Sequence, residues 1–255
     1  MVRYIIFGVV CYLGFLVLTL PANLVYGYWK QSMGEEVPLV VEGLKGSVWS
    51  GQAAQASVAG QALQKIKWQF KPMQLLLGNT EIALDFSLQD GYGKGTVGYN
   101  VFGTMYANNI EAWIPMELVL PIFNLGSLKP AGALGVNLSE LKVKNHTVIT
   151  ALGSLVWQDA EVTLLKPIPL GSLQIQLEPT DDGIKGVIAD TGGPLQAEGL
   201  LTLSREGKYD FSAEVAVRDP QQRDLANAIQ SLGRPDNSGK VKLQRSGDLS
   251  GLGII

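Results

Sequence analysis

The 255-residue chain contains one cysteine and one histidine. With Cys11 alone, no disulfide can close within the chain, and an oxidising compartment is permitted without being demonstrated. A zinc site would have to be assembled from His146 and carboxylates, because Cys11 sits in an apolar segment. Charge is also sparse: 17% of residues are Asp, Glu, Lys or Arg, and the net charge is −3. That balance leaves no basic footprint for nucleic acid. Disorder is excluded as well, since 46% of the residues are hydrophobic and the length suffices for one large or two small cored domains.

What the chain does have begins at its amino terminus. No charged side chain occurs from Tyr4 to Trp29, and Arg3 and Lys30 bracket the run. Its most apolar part, Tyr4 to Leu20, is seventeen residues, at the short end of a bilayer span. Tyr26, Tyr28 and Trp29 are placed as an interfacial aromatic cluster. A cleaved signal peptide is the rival reading, but a cut after Ala22 would put Leu20 where a small residue is needed. The expectation is an uncleaved transmembrane anchor over 4–28, behind a short cytoplasmic terminus (1–3) and ahead of a linker (29–38). Arg3 and the free amino group favour a cytoplasmic N-terminus, Lys30 opposes them, and the body from 39 to 255 would then lie outside the cytoplasm.

In that body the apolar pattern has a period of two. Ile66, Trp68 and Phe70 oppose Lys65, Lys67 and Gln69, and Ile82, Leu84, Phe86 and Leu88 oppose Glu81, Ala83, Asp85, Ser87 and Gln89. The alternation returns at Leu173/Ile175/Leu177, at Leu201/Leu203 and at Tyr209/Phe211/Ala213/Val215/Val217. Parallel strands buried on both faces would not alternate, so the pattern predicts antiparallel sheet with one wet face. Turn clusters at 89–91, 180–183 and 206–207 fit hairpins and meanders. Helix signals are few. The best runs from Pro220 to Leu232, with Asp219 as cap and Gly233 as stop. Shorter turns are expected at Pro72–Leu77 and Met116–Leu120, and a last strand at Lys240–Arg245. The fold class is therefore mainly β, an antiparallel curved sheet or a sandwich with few short helices, plus the N-terminal helix. Residues 46–53 faintly echo 153–160. Two similar halves meeting near 124–132 would account for that, and so would chance.

Candidate chemistry fares poorly. Gly93-Lys94-Gly95-Thr96-Val97-Gly98 matches a dinucleotide-binding string, but Tyr99, Val101 and Phe102 follow it as strand, where the phosphate site needs a helix. His146 has no nucleophile elbow or orienting neighbour and reads as a polar loop or strand residue. The adjacent acids Asp181/Asp182 and Glu35/Glu36 sit in turn or linker contexts, whereas acid–base catalysis needs carboxylates facing across a cleft. Trp49, Trp68, Trp113 and Trp157 suit core anchors better than a ligand platform.

Several stretches are familiar together. Gly46-Ser47-Val48-Trp49-Ser50-Gly51, then Trp68-Gln69-Phe70-Lys71-Pro72 with Leu75-Leu76-Leu77-Gly78, resemble the Gly-x-x-Trp-x-Gly and Trp-x-x-x-Pro…Leu-Leu-x-Gly pattern of the type II secretion system protein N family. Leu232-Gly233-Arg234-Pro235-Asp236 with Gly239 resembles the family's ending. The resemblance implies a bacterial inner-membrane protein, single-pass, with a periplasmic domain, accessory to export of folded proteins across the outer membrane. It brings no catalytic residues, cofactor or metal, and the signature positions Gly46, Trp49, Gly51, Trp68, Pro72, Gly78, Gly233, Pro235 and Gly239 look structural. Other secretion subunits and the inner membrane are the implied partners, through the half-wet sheet or its edge strands, and the oligomeric state is left open. The alternative is a membrane-tethered carrier that binds lipid or another hydrophobic ligand in an apolar β-groove. A hydrolase using His146 is a third, weaker reading.

Overall fold

Helix α1 (Val2–Leu18) opens the chain and has no charge after Arg3. In the computed structural model, residues 2–33, 39–58, 61–119, 129–145, 147–163, 166–219 and 221–248 are described. Large apolar side chains of α1 lie exposed: Tyr4, Ile5, Ile6, Phe7, Tyr12 and Phe15 are each more than half accessible. The uncharged run is not one helix. Proline lacks the N–H that would close a turn and clashes with the carbonyl four residues back, so Pro21 ends α1 and a second helix, α2 (Ala22–Met33), starts after it. At 1.5 Å per residue α1 is about 26 Å long, against about 30 Å of bilayer hydrocarbon. Among the described residues no helix is long and apolar enough to cross a membrane. The segment 4–28, expected as the anchor, is divided between two helices with a break at 19–21.

The chain divides into two compact units, Met1–Tyr92 and Gly93–Ile255. In the first, β1 (Leu39–Glu42), β3 (Ser50–Val58), β4 (Gln61–Phe70) and β5 (Asn79–Leu88) pair antiparallel in that order, and the two-residue β2 (Lys45–Gly46) also pairs with β3. A bulge between Gln64 and Lys67 interrupts the β4–β5 register, with Lys65 at φ +52°. The 3₁₀ turn Pro72–Leu77 links β4 to β5.

The second unit is a meander whose spatial order is its chain order: β6 (Gly91–Asn100), β7 (Thr104–Pro115), β8 (Lys129–Lys144), β9 (Thr147–Thr163), β10 (Pro167–Thr180), β11 (Gly183–Asp190), β12 (Leu195–Ser204), β13 (Lys208–Val217) and β14 (Val241–Asp248). A short helix, α3 (Met116–Val119), follows β7, and α4 (Arg223–Leu232) precedes β14. Alternation carries across the ladder, so the register aligns apolar residues in rows on one face. One row runs Ile110–Leu138–Gly153–Leu177–Gly186–Leu201–Phe211. The next runs Ala112–Val136–Leu155–Ile175–Ile188–Gly199–Ala213–Leu243. Most of these side chains are only half-buried, and of the large residues described Val241 alone is fully buried. A sandwich would close a second layer over such rows; among the described residues α4 covers them at one end. Leu225 and Ile229 of α4 pack on Ile168, Leu195, Ala197, Val215 and Val241.

The antiparallel, mainly β class with few short helices holds. The expected helix over 220–232 starts three residues late: Asp219 Oδ1 accepts from the Gln221 N–H (2.9 Å) and forms a turn of its own, leaving Gln222 at the cap with no side-chain bond. Pro220 and His146 lie outside the described residues, as do 34–38 with Glu35 and Glu36. So do residues 120–128, which hold much of the expected meeting point of two halves. The echoing stretches adopt different structures, a turn between β2 and β3 for 46–53 and continuous β9 for 153–160.

Candidate functional site

The first unit gathers four of the signature residues around one indole. Gly46 pairs with Gly51, and Gly51 with Trp68, across β2, β3 and β4. The Trp68 ring lies directly over Gly51: a Cβ there would sit 2.3 Å from Trp68 Cζ2 and 2.6 Å from the Lys45 carbonyl oxygen. Only glycine admits the ring. Gly46 is in the left-handed region (φ +94°), and a Cβ on it would meet the Ser50 carbonyl at 2.6 Å. Trp68 Nε1–H donates to the Val48 carbonyl (3.0 Å), and the Trp49 ring stacks obliquely on Phe70 with centroids 5.0 Å apart. The Phe70 N–H donates to the Trp49 carbonyl. The break after α1 docks on the same turn: Val48 N–H donates to the Leu20 carbonyl (3.0 Å) and Pro21 bridges Ser47.

Pro72 and Gly78 frame the 3₁₀ turn. Pro72 opens it, and Gly78, left-handed at φ +74°, caps it by donating to the carbonyl oxygens of Gln74 and Leu75. Its base is tied down by the ion pair between Lys71 and the buried Glu81. The C-terminal signature lies apart, in the second unit. Gly233 ends α4 against Val241, where a Cβ would approach Cγ1 to 2.9 Å. Pro235 and Gly239 belong to the loop organised by Asp236, whose carboxylate accepts from Ser238 and from the Lys240 N–H. The Ser238 hydroxyl foremost, then the backbone N–H groups of Lys240 and Ser238, hold that carboxyl below its ordinary range.

Open concavities adjoin these elements. Lys45, Gln52, Lys67 and Asp85 form a cross-strand polar row that lines a cleft of about 540 Å³. An apolar hollow of about 350 Å³ lies between Val25, Tyr26 and Trp29 of α2 and Leu44, Val48 and Trp68. In the second unit a cleft of about 950 Å³ covers the end of the apolar rows at Ile184, Leu203 and Tyr209, over the bare Gly247. Of the other tryptophans, Trp157 Nε1–H donates to the Ala131 carbonyl (2.9 Å), and Trp113 lies against Gly135.

Among the described residues, the candidate groups singled out in the sequence are not brought together. Among the described residues no group of three His, Cys, Asp or Glu is placed to hold a metal ion. The glycine-rich string 93–98 is strand β6. Asp181 and Asp182 are exposed at the β10–β11 turn. Asp190 is a further well-held carboxylate, with a side-chain exposure of 11%. Burial works against its charge, but the N–H groups of Ala197 and Gly192 and then the Arg218 guanidinium outweigh that and lower its pKa. It ties β11 to β12 and the end of β13.

Comparison with known proteins decides the family. The model of "Type II secretion system (T2SS), protein N" matches residues 38–244. The chain belongs to the type II secretion system protein N family. A protein of that name from Aeromonas hydrophila is 29% identical over 252 residues, covering 93% of this chain and 94% of the relative. One from Vibrio cholerae is 27% identical over 224 residues (83% and 85%), and one from Klebsiella pneumoniae 24% over 245 residues (93% and 92%). No solved structure matches. The family's members are components of the type II secretion system, and the match spans both units.

The feature that sequence reading missed is the exposure of the 3₁₀ turn. Met73, Leu75, Leu76 and Leu77 are between 51% and 80% accessible. The sequence places a short turn here and leaves the exposure of its apolar residues open; the available signal was the framing Pro72 and Gly78, which leave too short a turn to fold back on the sheet.

Proposed function

We propose that the chain is a non-enzymatic, inner-membrane component of the type II secretion apparatus, held by α1 with its two β units in the periplasm. The observation that carries the anchoring is α1 itself, uncharged after Arg3 and exposed at its large apolar residues Tyr4, Ile5, Ile6, Phe7, Tyr12 and Phe15, which no face of a soluble domain accounts for. Its length of about 26 Å is met by local thinning or by snorkelling of Arg3 at one end. Contacts with other subunits are assigned to the free edge of β14, which pairs only with β13 among the described residues. Lys242 and Arg245 on that edge deter indiscriminate pairing and suit a partner strand bearing acidic side chains. The test is deletion of the gene with secretion of folded cargo as readout, alongside alkaline extraction of membranes. Loss of secretion with the protein retained in the extracted membrane supports the reading. Intact secretion, or release with the soluble fraction, refutes it.

A second reading rests on the second unit. Its half-buried rows and the 950 Å³ cleft at Ile184, Leu203 and Tyr209 fit a hydrophobic ligand, within the size range of small-molecule sites. Native mass spectrometry of the full chain from native membranes would show a co-purified lipid that is lost on Leu203→Asp. Absence of any adduct speaks for a scaffold alone.

A further inference from the structure

We infer that the 3₁₀ turn Pro72–Leu77 is a second membrane-inserting element, which dips into the same bilayer leaflet where α1 emerges. The inference rests on the reading of α1 as the anchor. Four large apolar side chains, Met73, Leu75, Leu76 and Leu77, project from this turn, and none of its residues is buried. The turn is nonetheless rigidly built: Pro72 fixes its start, Gly78 caps it left-handed, and the Lys71–Glu81 pair with the Lys71 N–H to Glu81 carbonyl bond (2.8 Å) clamps its base. A clamped turn that presents four apolar side chains to water needs a cover.

Its place in the first unit says what the cover is. The carbonyl of Leu20, two residues past α1, accepts from Val48, and the carbonyl of the next residue, Trp49, accepts from Phe70, two residues before Pro72. The end of α1 and the start of the turn are thus joined through one pair of adjacent residues on β3's entry turn. Wherever the bilayer surface meets the end of α1, the turn stands beside it. Leu24 and Tyr28, exposed on α2, extend the apolar surface between α1 and the body. Two attachments, a helix and a clamped apolar turn, would fix the tilt of the first unit on the membrane, where one helix leaves it free to swing.

The test places single environment-sensitive fluorophores on the full chain in vesicles of phosphatidylglycerol and phosphatidylcholine, with brominated acyl chains as quenchers. In a Cys11→Ala background, Leu76→Cys reports on the turn, Phe15→Cys on α1, and Gln55→Cys on the exposed middle of β3. The account expects several-fold quenching at positions 15 and 76 and none at 55. Quenching at 15 with position 76 matching 55 overturns this inference while leaving the anchor intact. No quenching at 15 removes the anchor, and this inference with it. Leu76 is 80% accessible, so its replacement leaves folding undisturbed. Leu75→Ser with Leu77→Ser should lower the quenching at position 76 and leave position 15 unchanged.

Discussion

Gly51 and Trp68 show how a residue the size of a hydrogen atom fixes a local fold. The indole occupies the volume a side chain on Gly51 would take, and its N–H satisfies the Val48 carbonyl on the turn that receives the end of α1. Gly51→Ala should therefore cost about 1–3 kcal/mol, as overpacking against a ring and a carbonyl does. Hydrogen exchange should show lost protection in β2–β4 and unchanged protection in β12–β14. Asp190 offers a pH-dependent case. Its folded pKa lies below the unfolded value, so its stabilisation is present above the unfolded carboxylate pKa and is lost as pH falls through the folded one. Asp190→Ala should lower stability at pH 7 by about 1–3 kcal/mol. The gap from wild type, followed by urea unfolding across pH, should close in acid. The glycines and tryptophans were legible as signature positions, but not which indole covers which glycine, because that depends on the register between neighbouring strands.

Among elements, the strands were the most readable. Alternation at 65–70, 80–89, 173–177, 201–203 and 209–217 falls, but for Gln89 in a turn, within an observed strand, because the side-chain period of a half-wet sheet is written directly in the residues. The first helix was harder. Counting apolar residues through Pro21 gave one long span, where the proline gives two helices and a docking point. The Lys65 bulge and the two-residue β2 left no trace in hydrophobicity, since both are set by pairing partners. The helix α4 is the lid on the apolar rows of the second unit, and its hold is specific. Leu225→Ala removes a residue that is 3% exposed within the cluster around Val241 and should cost about 2–5 kcal/mol in urea unfolding of that unit. Leu232→Ala, 61% exposed on the same helix, should fall within about 0.5 kcal/mol of wild type.

For the molecule as a whole, composition narrowed the reading more than it assigned one: a single cysteine rules out an internal disulfide, and the charge balance leaves no basic footprint for nucleic acid. Family membership supplies the machine, and the exposed helix, the clamped apolar turn and the free β14 edge supply surfaces by which a component of that machine would meet membrane and neighbours. The central claim is that the β units work by contact with other secretion subunits. A photo-crosslinking residue at Gln244, exposed on β14, tests it most directly in intact cells with the chain in its native membrane. The account predicts a single strong adduct whose partner, identified by mass spectrometry, is another subunit of the secretion apparatus, and which is absent when the crosslinker sits at Gln174 in the interior of the sheet. An unadducted chain, or adducts with lipid alone, would contradict it.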